Sequence, residues 1–379
     1  MRVDTIRGVN GSVGIGAAAE GNKWAVSWHH IVDYHWYARV FDGTTLKDEV
    51  DLGTDTYSAG NLLLDDGNGR AFSQNDDKRR ILDWSTGTFE AETTFSETTS
   101  YTSLAAIPGG GAISLYRNGA NTNIVSDRWL PGTPTWTATN LAAAVGYEIR
   151  VYANAAGKAI GLWYNSTATD TTLSVVAFDG SNWGTAATKT FDNASGSLNT
   201  VDGAILASGD FLLVTQRGGN GTLQSYKFNA GAGTFDAAVD VGQSVNNQST
   251  RPSIVIDASD RITLAYLDSG HAKARRDVGA GWLAEQDLGA ATMVKLAVDR
   301  TSSNVVAVTY AAPSLSIHAL TGTGNTWSAA VTMTGLGITN QMFAYMVSTV
   351  FDGSGHPMTF AEQEAAGTGG LELSYVKCQ

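Results

Sequence analysis

Three histidines, His29, His30 and His35, stand close together in the segment WAVSWHHIVDYHWYARVFDG, among three tryptophans and two tyrosines. Imidazoles at this spacing could ligate a metal ion or relay protons. The apolar runs on either side are typical of neighbouring strands, and adjacent residues of a strand point to opposite faces of a sheet, so His29 and His30 would diverge. We therefore predict no metal site: the aromatic residues pack the fold, and the histidines lie in a loop.

A tyrosine recurs where four apolar runs end. The copies SLYRN, LWYNS, LAYLD and VTYAA contain Tyr116, Tyr164, Tyr266 and Tyr310. One interpretation is that these side chains cap an apolar core with their hydroxyl groups in water. The other is that they line one face of the fold, with His29 and His30, and bind a glycan.

Charged residues stand near the start of several other apolar runs. They are Glu148, Arg150, Asp202, Arg251 and Lys295. If the fold brings them around one axis, three cations and two carboxylates could bind an acidic sugar or neutralise one another. We favour neutralisation, because the channels of propellers are normally wet and lined with polar groups. Arg150 and Arg251 join the candidate glycan-binding residues.

The motifs of several enzyme classes are absent. There is no Gly-x-Ser-x-Gly elbow for Ser-His-Asp chemistry, and the glycine-rich stretches are turns rather than phosphate-binding loops. A polysaccharide lyase needs a neutralising cation and a His or Tyr base. His29 or His30 with Tyr116 and Arg150 could supply them, but these residues belong to different repeats. We predict no catalytic residues and no cofactor.

Composition limits the class of protein. The 379 residues include 43 glycines and only 16% charged residues, which is typical of a turn-rich, all-β chain. The formal charge of −12 argues against nucleic acid and anionic membranes as partners. No apolar run is long enough to span a membrane, and from the first residues, MRVDTIRGVNGSVG, we expect no signal peptide. The single cysteine, Cys378, excludes internal disulfides and thiolate zinc sites.

The elements that must position these residues form an internal repeat. A turn, one aromatic residue and a short strand recur at Phe89, Trp136, Trp183, Phe235, Trp282 and Trp327, with Leu46 as a degenerate first member. Between these markers lie pairs of apolar runs joined by polar turns, such as NLLLDDGNGRAFS and PSIVIDASDRITLAY, which predict β-hairpins. Each period of about 47 residues therefore predicts one four-stranded blade of a β-propeller.

Eight blades account for the length of the chain, and seven are the alternative because the first and last repeats are the weakest. We expect the N-terminal strand, RVDTIRG, to complete the last blade and close the ring. The prediction is a single propeller domain over residues 1–379. Its working face should carry the loops between the second and third strands of the blades and the loops that join each blade to the next.

The hairpin, turn and tryptophan resemble the repeats of Asp-box or sialidase-like propellers of bacterial extracellular and phage proteins. The closest copy is PSIVIDASDRITLAYLDSGHAKARRDVGAGW, and FDGSNW is a partial Asp-box. The resemblance implies a fold rather than a function. A sialidase of this kind would have an arginine triad, for which Arg150, Arg217 and Arg251 are available, but also six blades and an N-terminal arginine motif that this sequence lacks.

These observations favour a non-catalytic, lectin-like recognition or structural propeller of a virion or cell surface, with a phage-like component as the expected type. Its partner would be a surface glycan or other structural proteins of a particle. The expected location is a virion or extracellular surface, with the cytoplasm as the alternative, and the sequence predicts no oligomeric state. The alternative function is a carbohydrate-active enzyme, a lyase or a glycosidase, with its site on the loop-rich face.

Overall fold

The computed structural model describes residues 2–6, 15–30, 35–54, 64–74, 78–95, 99–107, 110–120, 122–132, 135–143, 147–193, 198–217, 221–243, 252–299, 302–321, 323–333, 347–364 and 371–377. The strands of these segments form eight antiparallel sheets, numbered 1 to 8 along the chain, and none of the segments is α-helical. Accordingly, no helix long and apolar enough to cross a membrane occurs in this described part.

Strand bounds follow the repeat along the chain. The first half contains β1 (Arg2–Ile6) of sheet 8; β2 (Ile15–Glu20), β3 (Lys23–His30), β4 (His35–Asp42) and β5 (Thr45–Thr54) of sheet 1; β6 (Leu64–Asp65), β7 (Arg70–Gln74), β8 (Lys78–Asp83), β9 (Thr88–Phe89) and β10 (Thr93–Thr94) of sheet 2; β11 (Thr99–Ala106), β12 (Ala112–Asn118), β13 (Asn123–Trp129) and β14 (Thr137–Ala143) of sheet 3; and β15 (Tyr147–Ala153), β16 (Ala159–Ser166), β17 (Asp170–Phe178) and β18 (Ala187–Asp192) of sheet 4.

The second half contains β19 (Leu198–Ile205), β20 (Phe211–Arg217), β21 (Thr222–Asn229), β22 (Thr234–Phe235) and β23 (Val239–Gln243) of sheet 5; β24 (Ser253–Ile256), β25 (Ile262–Asp268), β26 (His271–Asp277) and β27 (Gln286–Ala290) of sheet 6; β28 (Met293–Val298), β29 (Val305–Ala311), β30 (Ser314–Thr321), β31 (Thr326–Trp327) and β32 (Val331–Thr332) of sheet 7; and β33 (Val347–Phe351), β34 (Pro357–Glu364) and β35 (Leu371–Lys377) of sheet 8.

Burial changes from the inside of each sheet to the outside. The second strand has strands on both sides and neighbouring sheets on both faces, so every residue of β12 is buried. Buried and half-buried residues alternate along the third strand β4, as a half-covered surface requires. The fourth strand β14 is mostly exposed.

The sheets are arranged around an axis as the blades of a β-propeller. The first strand of each sheet, here called the inner strand, contacts the inner strand of the next sheet, and β33 of sheet 8 contacts β2 of sheet 1. The N-terminal strand β1 pairs with β35, from Arg2 opposite Lys377 to Ile6 opposite Leu373. Backbone groups at the outer edge of β35 therefore bond to the start of the chain.

One turn design joins the inner strand to the second strand in most sheets. Its first residue, here called the turn residue, donates its backbone N–H to the carbonyl that ends the turn. The described turn residues are Asp66, Ile107, Asn154, Leu206, Asp257, Asp299 and Asp352. At Asp352 the side-chain Oδ1 accepts the backbone N–H groups of Ser354 and His356 at 2.8 and 2.9 Å. Asp66, Asn154 and Asp257 accept in the same way, because Asp and Asn oxygens reach backbone groups two residues ahead.

A buried ion pair reinforces one of these turns. The Arg276 guanidinium lies 2.6 Å from the Asp257 carboxylate, and both side chains are fully buried. Arg276 also donates to the carbonyl of Gly324 in sheet 7 at 2.9 Å. Since a buried charge is tolerated only when it is paired and hydrogen-bonded, Asp257 holds together its own turn, its own sheet and the next one.

Candidate functional site

The inner strands surround a cavity of about 590 Å³ at the centre of the ring. Its described lining comes from the inner strands of sheets 2 to 7 and from the end of β7. This volume lies within the range of small-molecule binding sites, roughly 300–1,000 Å³. The cavity is therefore large enough to hold a sugar residue.

The inner strands vary from sheet to sheet at a position four residues before the turn residue, here called the wall position. Its described members are Ser103, Arg150, Asp202, Ser253, Lys295 and Ser348, of which the first three line the cavity. Each pairs with an apolar residue of the second strand, for example Arg150 with Leu162. The repeat thus keeps the apolar partner constant and changes the wall residue.

A polar cluster occupies the wall of sheets 4 and 5. The Arg150 guanidinium lies 3.5 Å from the Glu148 carboxylate and 3.8 Å from that of Asp202. The Tyr152 hydroxyl donates to Asp202 at 2.9 Å. Glu148, Arg150 and Asp202 are hence brought together, and the one cation of the cluster is neutralised by two carboxylates.

Burial raises the pKa values of two side chains in the wall, Tyr152 and Asp65. Burial and the neighbouring Asp202 carboxylate hold the pKa of Tyr152 above its usual value, so this phenol is a hydrogen-bond donor rather than a base. On the wall of sheet 2, burial raises the pKa of Asp65 to about 6, although the Gly67 N–H partly opposes that shift. Asp65 accepts this N–H at 2.9 Å.

Gln74 is a buried polar side chain that departs from the repeat. It stands eight residues after the turn residue Asp66, where Leu115 and Leu162 stand in sheets 3 and 4. Only 5% of its surface is exposed, and it lines the cavity. Neither its amide nitrogen nor its amide oxygen has a hydrogen-bond partner among the described residues. A buried amide without partners costs free energy, so its presence points to a ligand.

Two of the predicted cations are not part of this cluster. The Lys295 ammonium donates to the carbonyl of Val347 on the next sheet at 2.6 Å, and burial lowers its pKa to about 8. Arg251 lies outside the described residues, as does the side chain of Arg217. Of the three cations that suggested an acidic sugar, only Arg150 lines the described part of the cavity.

The expectation that the recurrent tyrosines present their hydroxyl groups to water on an open face was wrong for three of them. Tyr116 and Tyr266 are fully buried, and Tyr310 is 1% exposed. The reason is that second strands are covered by sheets on both faces. Tyr116 donates to Asp127, and Tyr266 donates to Glu285. Tyr164 is half-buried and packs beside the core between sheets 4 and 5.

The placement of the histidines in a loop was also wrong. His29 and His30 end β3, and His35 begins β4, so all three belong to a hairpin whose strands extend further than expected. His29 is 7% exposed and its ring lies 5.3 Å from that of Trp36, whereas the side chain of His30 is outside the described residues. His35 contacts Asp51 at 2.8 Å.

The residues considered for a lyase lie on three different sheets. His29 is on β3 of sheet 1, Tyr116 on β12 of sheet 3 and Arg150 on β15 of sheet 4. Tyr116 is enclosed in its sheet and cannot reach a substrate in the channel. Among the side chains that the structure describes, no group of three His, Cys, Asp or Glu residues could hold a metal ion.

Sequence reasoning missed Gln74 and Tyr152. A signal for Gln74 was present in the sequence. An alignment of the repeats places AFSQ against AISL and AIGL, and a polar residue then stands where the other two repeats have leucine. Tyr152 carried a signal of the same kind, because alanine stands at the equivalent positions Ala105 and Ala204.

The sequence matches no protein-family model and no curated protein. Among solved structures, the chain is similar to the WD40 domain of SCAP from fission yeast, with 8% identity over 99% of this chain and 98% of that one and a TM-score of 0.54. It is also similar to a PL25 ulvan lyase bound to -[GlcA(1-4)Rha3S]-, with 10% identity over 87% and 98% of the two chains and a TM-score of 0.52.

Similarity to the polysaccharide lyase Uly1 is of the same order, with 10% identity over 96% of this chain and 90% of that one and a TM-score of 0.50. At such identities the likeness concerns the fold alone, and the Asp-box and phage-type parts of the resemblance stay expectations. This chain has the β-propeller fold.

Proposed function

We propose that this protein is a non-catalytic recognition propeller that binds a glycan in its central channel. The observation that carries the proposal is the buried Gln74 amide, which has no described hydrogen-bond partner and lines the cavity. A primary amide offers two donors and an acceptor side by side. Neighbouring hydroxyl groups of a sugar ring match that arrangement.

The polar cluster that lines the same cavity as Gln74 supports the same class of ligand. Sugar hydroxyl groups can donate to the carboxylates of Glu148 and Asp202 and accept from Arg150. The cluster is less suited to lyase chemistry, because Arg150 is already neutralised and Tyr152 stays protonated. We retain the surface of a virion or cell as the proposed location, which the low charge and the Gly-rich composition support.

The test is binding to an immobilised panel of neutral, amino and acidic glycans. The unmodified chain should retain at least one glycan, and Gln74→Leu, which restores the residue found at Leu115 and Leu162, should weaken its affinity about tenfold or more. The same variant should be at least as stable to heat, since a buried amide is removed. Gln216→Leu is the matched control, because Gln216 is 1% exposed and lies outside the described lining.

Equal affinities of Gln74→Leu and the unmodified chain would contradict the proposal. A parallel assay incubates the protein with acidic polysaccharides and measures unsaturated sugar. Turnover there would favour the lyase instead, whose support is limited to a fold shared with Uly1 and the ulvan lyase.

A further inference from the structure

Two inner strands carry a strained residue at the same point of the repeat. A β-bulge interrupts β11 between Ser100 and Ser103, and another interrupts β15 between Tyr147 and Arg150. Within them, Tyr101 and Glu148 each have a φ of +52°. Each stands six residues before its turn residue, so the two bulges are equivalent.

This conformation is unfavourable for bulky residues. The other described non-glycine residues with positive φ are Asp260, Ser269 and Ser303, all of them small polar residues in tight turns. A tyrosine or glutamate held there costs about 1–3 kcal/mol, and such strain tends to persist at functional sites. The two strained side chains are therefore candidates for a role beyond the fold.

Both bulges lie at one end of the cavity. Thr102 and Ser103 line it directly after Tyr101, and Glu148 itself lines it. The Ser103 hydroxyl accepts the backbone N–H of Val151 at 3.1 Å, so β11 and β15 run side by side at this depth. The bulges that contain Tyr101 and Glu148 hence lie on adjacent inner strands at the same end of the channel.

The two side chains have the chemistry of a sugar subsite. Tyr101 is 37% exposed, and the guanidinium of the buried Arg117 lies 4.6 Å from the centre of its ring. A cation over an aromatic face is attractive and fixes the orientation of the ring. The Glu148 carboxylate is 40% exposed and is held at one side by Arg150. An oriented aromatic face beside a carboxylate can pack on the apolar face of a sugar and accept its hydroxyl groups.

We propose that Tyr101 and Glu148 form a rim subsite that binds the sugar residue next to the one held at Gln74. The ligand is then an oligosaccharide that runs from the rim into the channel. This inference rests on the proposed function and adds to it a second subsite and a minimum ligand length.

The test compares methyl glycosides with tetrasaccharides of glucose, mannose, galactose and N-acetylglucosamine by calorimetric titration. For the sugar that binds, the tetrasaccharide should bind about tenfold more tightly than the methyl glycoside. Tyr101→Leu should remove that difference and leave the methyl glycoside unaffected. Tyr101→Phe should retain it, since both variants keep the backbone strain but only Phe keeps an aromatic face.

The melting midpoint of a variant tests the role of Glu148 without any sugar. Glu148→Gly should leave the melting midpoint unchanged or raised, because glycine adopts this φ at no cost, and should weaken tetrasaccharide binding. A clear fall in the midpoint would show that the bulge residue is structural and overturn the subsite. Tetrasaccharide affinity unchanged in Tyr101→Leu but lost in Gln74→Leu would overturn the rim subsite alone. Failure of every sugar to bind the unmodified chain would overturn the proposed function together with it.

Discussion

The turns and the channel wall use the repeat in opposite ways. At the turns, Asp66, Asn154, Asp257 and Asp352 perform the same task in four sheets, since each accepts two backbone N–H groups. Four residues earlier in the chain, the wall positions hold serine, arginine, aspartate or lysine. The turn residues therefore hold the fold, and the wall residues that line the cavity, such as Arg150 and Asp202, are available to a ligand.

The same contrast distinguishes the buried ion pair at Asp257 from the wall cluster around Arg150. Arg276 and Asp257 are fully buried and 2.6 Å apart, whereas Arg150 is a quarter exposed and at least 3.5 Å from its carboxylate partners. The buried pair of Arg276 and Asp257 is not accessible to a ligand. The guanidinium of Arg150, in contrast, can exchange its carboxylate partners for groups of a ligand. Substitutions in the two regions should therefore differ in their effects on stability and on binding.

Removing the closing strand should have the largest effect. Deletion of residues 1–8 removes β1 and exposes the edge of β35. Each lost backbone hydrogen bond contributes about 0.5–1.5 kcal/mol, so the loss of stability should exceed that of any single substitution at a turn or in the wall. Thermal melting measures it. An unchanged midpoint would show that β1 does not contribute to closing the ring.

Asp257→Ala should be the most harmful substitution at a turn. It removes two turn hydrogen bonds and leaves Arg276 buried without its carboxylate, which should cost about 3–5 kcal/mol in the free energy of unfolding. Asp352→Ala removes a turn acceptor without a fully buried ion pair and should cost only about 1–2 kcal/mol. Urea unfolding measures the free energy of unfolding of both variants. Equal losses would show that the buried ion pair contributes no more than an ordinary turn acceptor.

Asp65 should make stability depend on pH. Its pKa is raised from 3.8 to about 6 in the folded chain, so the folded state binds more protons than the unfolded state between these values. Stability should therefore fall as the pH rises from about 4 to about 6. Asp65→Asn should flatten that slope in melting curves recorded across this range. Parallel profiles of the variant and the unmodified chain would show that Asp65 is not the group responsible.

Arg150→Ala should have the smallest effect on stability. Partly exposed ion pairs at 3.5 and 3.8 Å contribute little, so the free energy of unfolding should change by less than about 1 kcal/mol. Glycan binding should nevertheless weaken, because a donor of the wall is lost. A loss of stability like that of Asp257→Ala would place Arg150 among the residues that hold the fold.

The sequence predicts the propeller well because its signals are local. Apolar alternation and Asp- or Gly-containing turns define the hairpins, and the charges of Glu148, Arg150 and Asp202 mark the inner wall by residue type and spacing alone. The recurrent tyrosines misled because their burial depends on the sheets packed against them. Tyr101 could not be recognised either, because its importance lies in a bulge and a backbone angle that residue types do not reveal.

Binding of a glycan in the channel can be observed at the Gln74 side-chain amide itself. In protein labelled with ¹⁵N-glutamine, its NH₂ signal is identified by its absence from Gln74→Leu and followed while a glycan retained in the binding assay is added. We expect this signal to shift and to become protected from exchange with solvent as the glycan binds, while the signal of Gln216 stays in place. A Gln74 signal that does not move at saturation would contradict binding in the channel.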